Sequence, residues 1–110
     1  MAGLEDFETE DEPYCCELFG ELEVLLEARY SSEWMTDLPD EWDDPDRAMP
    51  QMYLKGLGKG EVLYLTLGHC CGKFDMQPIM EECDVARGSW ERPVYYELLR
   101  RGLRWGVGEV

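Results

Sequence analysis

The residues best suited to chemistry are gathered in one short run, His69-Cys70-Cys71, the single histidine beside two of the five cysteines. Thiolates and imidazole are zinc ligands, and a structural zinc needs four of them, normally offered as closely spaced pairs. No Cys-x-x-Cys or His-x-x-x-His pair exists, and adjacent residues rarely both reach one ion. The alternative metal set the chain can offer is Cys16 (or its neighbour Cys15), His69, Cys71 and Cys83. The leading expectation is no cofactor, with the thiols reduced and buried as small apolar side chains. A cysteine nucleophile is a weaker reading still. His69-Cys70 resembles half of a phosphate-cradling loop, but the arginine needed six residues past the cysteine is replaced by Met76. Neighbours on a strand also point to opposite faces, which separates His69 from Cys70. There is no phosphate-binding glycine motif, serine elbow or dinucleotide fingerprint. With one histidine for acid–base work near neutral pH, the expectation is a protein that is not an enzyme.

The elements that must position this run follow from periodicity and punctuation. Glu61–Leu67 is rich in branched, aromatic and leucine side chains on both faces, which predicts a strand covered on both sides. Leu54-Lys55-Gly56 leads into it through a turn supplied by Gly56, Gly58 and Gly60. Upstream, Pro13 suits a first helical position, and Cys15, Leu18, Phe19, Leu22, Leu25, Leu26 and Arg29 recur at three- and four-residue steps. That pattern predicts a helix over Tyr14–Tyr30, with Glu17, Glu21, Glu23 and Glu27 on a solvated face. Ser31–Pro50 lacks periodicity and is broken by Pro39, Pro45 and Pro50, which predicts a long acidic loop. Lys73–Met80 reads as a short edge strand, because Pro78 forbids a central one. Glu81–Ser89 reads as loop, with Ser89 as a cap. Val94–Arg104 reads as a second helix that stops at Gly102 or Gly106, and Trp105–Val110 as a final strand or docked tail. The fold class expected is α+β: a small single domain with an N-terminal helix, a long acidic loop, an antiparallel β-ribbon of two to four strands and a C-terminal helix. Residues 1–12 are expected to be an acidic flexible tail ahead of one domain over residues 13–110.

Charge points to the function class. Residues 1–46 carry seventeen Asp and Glu against Arg29 alone, a net −16, while residues 47–110 carry eight acids against nine bases, a net +1. The whole excess of the −15 chain therefore lies at its N-terminal end. Such asymmetry fits a partner protein with a basic surface and argues against direct nucleic-acid binding. Within the acidic stretch, Trp34 and Trp42 stand among Glu33, Asp37, Asp40, Glu41, Asp43 and Asp44. Aromatic anchors ringed by steering charges are what a docking segment needs, so these eight are the expected partner-binding residues. A calcium loop is excluded there, since Asp40–Asp46 lacks the glycine and final glutamate of that motif. The expected function is a non-enzymatic inhibitor or adaptor, in its sharpest form a nucleic-acid mimic of the kind a viral or phage accessory protein supplies. Two alternatives stand beside it: a small zinc-binding regulator, and an obligate homo-oligomer in which Arg100, Arg101 and Arg104 dock on a neighbour's acids. No apolar run approaches the length of about 18 residues that a membrane span requires. The acidic opening MAGLEDFETEDE is unlike a basic leader, so cytoplasmic or nuclear residence is expected, without secretion or membrane contact.

Overall fold

A computed structural model describes residues 1–12, 14, 16–29 and 48–109. The chain divides into two compact units, residues 15–65 and residues 1–14 with 66–110. Broadly this is α+β, with a three-stranded antiparallel sheet, a 3-10 turn and one C-terminal helix among the described residues. No helix among the described residues is long and apolar enough to cross a membrane.

The sheet belongs to the first unit and runs in the order β1 (Glu23–Arg29), β2 (Ala48–Leu57), β3 (Gly60–Leu65). β2 and β3 form a hairpin in which Leu57 faces Gly60, leaving Gly58 and Lys59 as the connection. Gly58 sits at φ +62°, the left-handed backbone that matches a two-residue turn to the strand twist. Met52 faces Leu65 and Leu54 faces Leu63 on one side of the ribbon. On the other side Tyr53 faces Tyr64, their rings stacked with centroids 5.5 Å apart. Burial raises the Tyr53 pKa, with Tyr64 and then Cys16 adding to it. The expected strand is present, but it is not covered on both sides, because Val62 and Tyr64 are exposed.

The expected N-terminal helix is not formed. Cys16–Leu22 has no helical turn among its described residues, Gly20 takes φ +77°, and Glu23–Arg29 is the edge strand β1. The pairing of β1 with β2 explains the misleading pattern. The register steps from Val24–Tyr53 to Leu26–Met52 to Glu27–Pro50, so Leu25 is an extra residue on β1 and Gln51 an extra residue on β2. A bulge breaks the two-residue alternation. It leaves both Leu25 and Leu26 half-buried between exposed Glu23 and Glu27, which imitates helical spacing. Pro50, expected in the loop, lies inside β2 where only β1 is paired, so its missing N–H falls on a local edge. Most of the expected acidic loop lies outside the described residues.

In the second unit, α1 (Pro93–Gly106) follows a 3-10 turn at Gly88–Glu91. Pro93 occupies the helix start, as its fixed φ favours. Tyr95 and Leu98 are buried, and Trp90 packs edge-on against Tyr95 with centroids 5.0 Å apart. The helix passes Gly102, takes up Trp105 and ends at Gly106, the second of the two expected stops, and Val107–Glu109 form no strand. Gly108 at φ +78° ends it, with Gly108 N–H donating to the Trp105 carbonyl and Glu109 N–H to that of Arg104. This is a Schellman closure. The expected edge strand at residues 73–80 is instead a series of turns. The N–H groups of Asp75, Gln77 and Met80 donate locally to Gly72, Phe74 and Met76, leaving them no part in a ladder.

Candidate functional site

The His69-Cys70-Cys71 run leaves the strand region through Gly68, and three contacts fix the backbone there. Trp90 Nε1–H donates to the Gly68 carbonyl at 2.8 Å, and the Asp11 carboxylate accepts from Gly68 N–H at 2.9 Å and His69 N–H at 3.1 Å. Asp11 also accepts from the hydroxyl of Ser89, which is 1% exposed. With that proton committed, Thr9 Oγ1 is the donor in the 3.1 Å contact with Ser89 Oγ. Residues 1–14 thus include a carboxylate that ties together backbone 57 and 58 positions downstream and a hydroxyl 78 downstream. Leu4 and Phe7 are half-buried in the same unit, and Arg101 donates to the Ala2 carbonyl at 2.9 Å.

The His69 side chain is engaged at both nitrogens. Nε2 lies 2.5 Å from Glu12 Oε2, and Nδ1 lies 2.7 Å from the Tyr14 hydroxyl. A carboxylate accepts only, so Nε2 carries the proton, and in the neutral ring Nδ1 accepts from the tyrosine. Carboxylate, imidazole and hydroxyl therefore stand in line, the order by which a base activates a hydroxyl. Here water competes for each bond, since the side chains of His69 and Glu12 are 39% and 54% exposed and Tyr14 is 45% exposed. The line fastens the N-terminal segment to the run.

Two residues on, Cys71 exchanges both backbone hydrogen bonds with Ala86, at 2.8 and 3.0 Å, and Cys83 N–H donates to the Lys73 carbonyl at 2.9 Å. These bonds bring Cys71 Sγ and Cys83 Sγ to 3.4 Å. The Gly72 carbonyl accepts from Cys83 at 3.2 Å, and Asp75 Oδ2 accepts from Gly72 N–H at 2.5 Å. The Cys71 thiol is pushed above its ordinary pKa, first by its hydrogen bond to Cys83, then by desolvation and the nearby Cys83, Asp75 and Cys70.

The four described cysteines depart from the expectation of buried thiols. Cys16 and Cys70 are exposed, and Cys71 and Cys83 are half-buried. Of the alternative zinc set, Cys71 and Cys83 come together, while Cys16 belongs to the other unit and both nitrogens of His69 are engaged. Among the described residues no group of three or more Cys, His, Asp or Glu is placed to hold a metal ion. The expected partner-binding residues Glu33, Trp34, Asp37, Asp40, Glu41, Trp42, Asp43 and Asp44 lie outside the described residues. Arg100 and Arg101, proposed to dock on a neighbouring copy, both bind Glu97 of their own helix, at 2.6 and 2.7 Å. The roles of Asp11 and Asp75 carry no signal in the sequence, and Ser89, expected as a cap, is not one: Arg87 and Arg92 hold the N-cap positions of the 3-10 turn and the helix, and the Ser89 hydroxyl donates to Asp11. Asp75 makes a local loop contact, but Asp11 acts across more than fifty residues, and no local pattern encodes such a partner. Comparisons with protein-family models, curated proteins and solved structures find no match.

Proposed function

We propose that this chain is a non-enzymatic interaction module, an inhibitor or adaptor that presents an acidic, tryptophan-bearing surface to a basic site on a partner protein. In its sharpest form the carboxylates stand where the phosphates of a nucleic acid would, and they occlude the cleft that reads them. The observation that carries this reading is the segregation of charge, a net −16 over residues 1–46 against +1 over the remainder. The exposed side chains of Glu17, Glu21, Glu23 and Glu27 support it, because charges left in water are free to steer a partner. Trp34 and Trp42 supply the anchors, and the flanking acids exclude partners of the wrong sign. The module acts in the cytoplasm or nucleus.

The test compares the natural chain with a variant in which Glu33, Asp37, Asp40, Glu41, Asp43 and Asp44 are replaced by their amides. Proteins retained from cell extract are identified by mass spectrometry at about 0.01 M and about 0.15 M salt, between which the screening length falls from about 30 Å to about 8 Å. A specific partner should bind the natural chain, weaken steeply with salt and fail to bind the amide variant. Trp34→Ala or Trp42→Ala should then cost about 2 kcal/mol or more in affinity. A partner held equally by the amide variant, with no salt dependence, refutes the proposal.

A further inference from the structure

The segment between Cys71 and Cys83 has features that the acidic-surface reading does not use. The two sulfurs sit 3.4 Å apart, already in contact, on backbone held by the Cys71–Ala86 bridge and the Cys83–Lys73 hydrogen bond. Both thiols are half-buried, not sealed in a core, so a small molecule can reach them. Between them the chain makes consecutive turns and exposes Phe74, Met76, Ile79 and Met80, the isoleucine at 81%. Cys70 is next in sequence to Cys71, yet a bridge between direct neighbours closes a strained ring, and the contact that exists is to Cys83. Disulfide formation requires side chains aimed at each other from correctly spaced backbone. Among the described thiols only this pair is shown in contact.

We propose that Cys71 and Cys83 form an oxidisable dithiol, a modification site whose disulfide cinches the apolar turn segment at residues 72–82. The oxidant is a low-molecular-weight disulfide. One thiolate of the pair attacks a sulfur of the oxidant, forming a mixed disulfide and expelling one small thiolate. The second protein thiolate attacks the protein-bound sulfur of that mixed bond, forming Cys71–Cys83 and expelling the other small thiolate. The two thiol protons end on the two released small thiols, and the two electrons lost by the sulfur pair reduce the oxidant. In the reduced state the turns are held by hydrogen bonds and by the Lys73–Glu82 ion pair at 3.1 Å. In the oxidised state the ends are covalently joined, which restricts how Phe74, Met76 and Ile79 are presented.

Trypsin reads the bond directly, because Lys73 separates the two cysteines and the cuts fall after Lys59, Lys73 and Arg87. The folded, reduced chain is treated with oxidised glutathione, its remaining thiols are alkylated, and the digest is run without reductant. The expected product joins peptide 60–73 to peptide 74–87, with fragmentation placing the bond at Cys71 and Cys83 and with Cys15, Cys16 and Cys70 alkylated. Cys70→Ser should keep the linked pair within about twofold, whereas Cys71→Ser and Cys83→Ser should each lower it by at least about tenfold. The same reaction in denaturant should spread the bonds over several cysteine pairs. A Cys70–Cys71 bond within peptide 60–73, a stable mixed disulfide with glutathione, or identical bonding in folded and denatured chains overturns the proposal. Linkage surviving in Cys71→Ser overturns it as well.

Discussion

Asp11→Ala separates a structural N-terminal segment from a tail. The substitution removes the acceptor for Gly68 N–H, His69 N–H and the Ser89 hydroxyl together. A hydrogen bond to a charged group is worth about 1.5–3 kcal/mol, and three at full value would total about 4.5–9 kcal/mol. Asp11 is only half-buried and His69 is exposed, so water replaces part of what is lost at the backbone donors. Ser89 is 1% exposed and keeps only Thr9, so its stranded hydroxyl carries the larger share. The expected cost is about 2–3 kcal/mol, or about 10 °C in melting temperature at about 4 °C per kcal/mol. Far-UV circular dichroism is the assay, because α1 lies in the same unit as Asp11 and reports that unit's unfolding. Asp11→Asn keeps one acceptor oxygen and should lose about half as much. Adding Ser89→Ala to Asp11→Ala should recover part of the loss, since the orphaned hydroxyl goes with it. If Asp11→Ala melts within about 0.5 kcal/mol of the natural chain, as an ordinary surface substitution does, residues 1–14 are a tail and the hub is not structural.

Gly68→Ala should be among the most damaging single substitutions. Its backbone is at φ +112°, and an added Cβ would lie 2.1 Å from the Tyr95 hydroxyl oxygen and 2.9 Å from the ring carbon bearing it. Left-handed strain plus displacement of a buried ring predicts a loss of about 3 kcal/mol or more by denaturant titration. Gly56→Ala, where no atom lies within 4 Å and φ is not positive, should stay within about 0.5 kcal/mol. Equal effects at the two glycines would refute the steric argument. Glu97 gives a pH signature: hydrogen bonds from Arg100 and Arg101 lower its pKa from an ordinary 4.5 to about 2. A folded-state pKa below the unfolded one contributes stability that is complete above pH 4.5 and is lost as pH falls toward about 2. Glu97→Gln should therefore flatten the acid side of the stability profile in that window. An unchanged slope would mean that these ion pairs persist equally in the unfolded chain.

The hairpin and the C-terminal helix were legible because local rules and tertiary context agree there. Gly58 supplies the turn, Pro93 the helix start, and Tyr95 and Leu98 the buried stripe. The helix ends at Gly106, one of the two glycines that mark a stop, while Gly102 stays helical because the left-handed backbone that closes the last turn comes only at Gly108. The first strand was illegible for a different reason. Paired bulges at Leu25 and Gln51 place two consecutive leucines half inside, and a sequence with a broken two-residue period reads as helical. At the candidate site, the sequence marked His69, Cys71 and Cys83 by residue type. It grouped Cys71 and Cys83 only as ligands of one alternative metal set and not as a pair, because their contact depends on a turn segment whose pattern resembles a strand.

Among the described residues two classes of carboxylate stand apart, and this decides how the charge hypothesis must be tested. Asp11, Glu12, Asp75 and Glu97 spend their oxygens on the chain's own donors. Glu17, Glu21, Glu23 and Glu27 are exposed and show no side-chain hydrogen bond or ion pair among the described residues. Neutralising the first class weakens folding, and any loss of binding that follows says nothing about a partner. Neutralising the second class changes the external field while leaving packing alone, and it relieves the mutual repulsion of a −15 chain. The quadruple variant Glu17→Gln, Glu21→Gln, Glu23→Gln and Glu27→Gln should therefore melt no lower than the natural chain. The same variant should bind a basic partner more slowly, with a shallower salt dependence. Lower stability would mean that these side chains hold the fold, and unchanged association would mean that the excess charge is not what a partner reads.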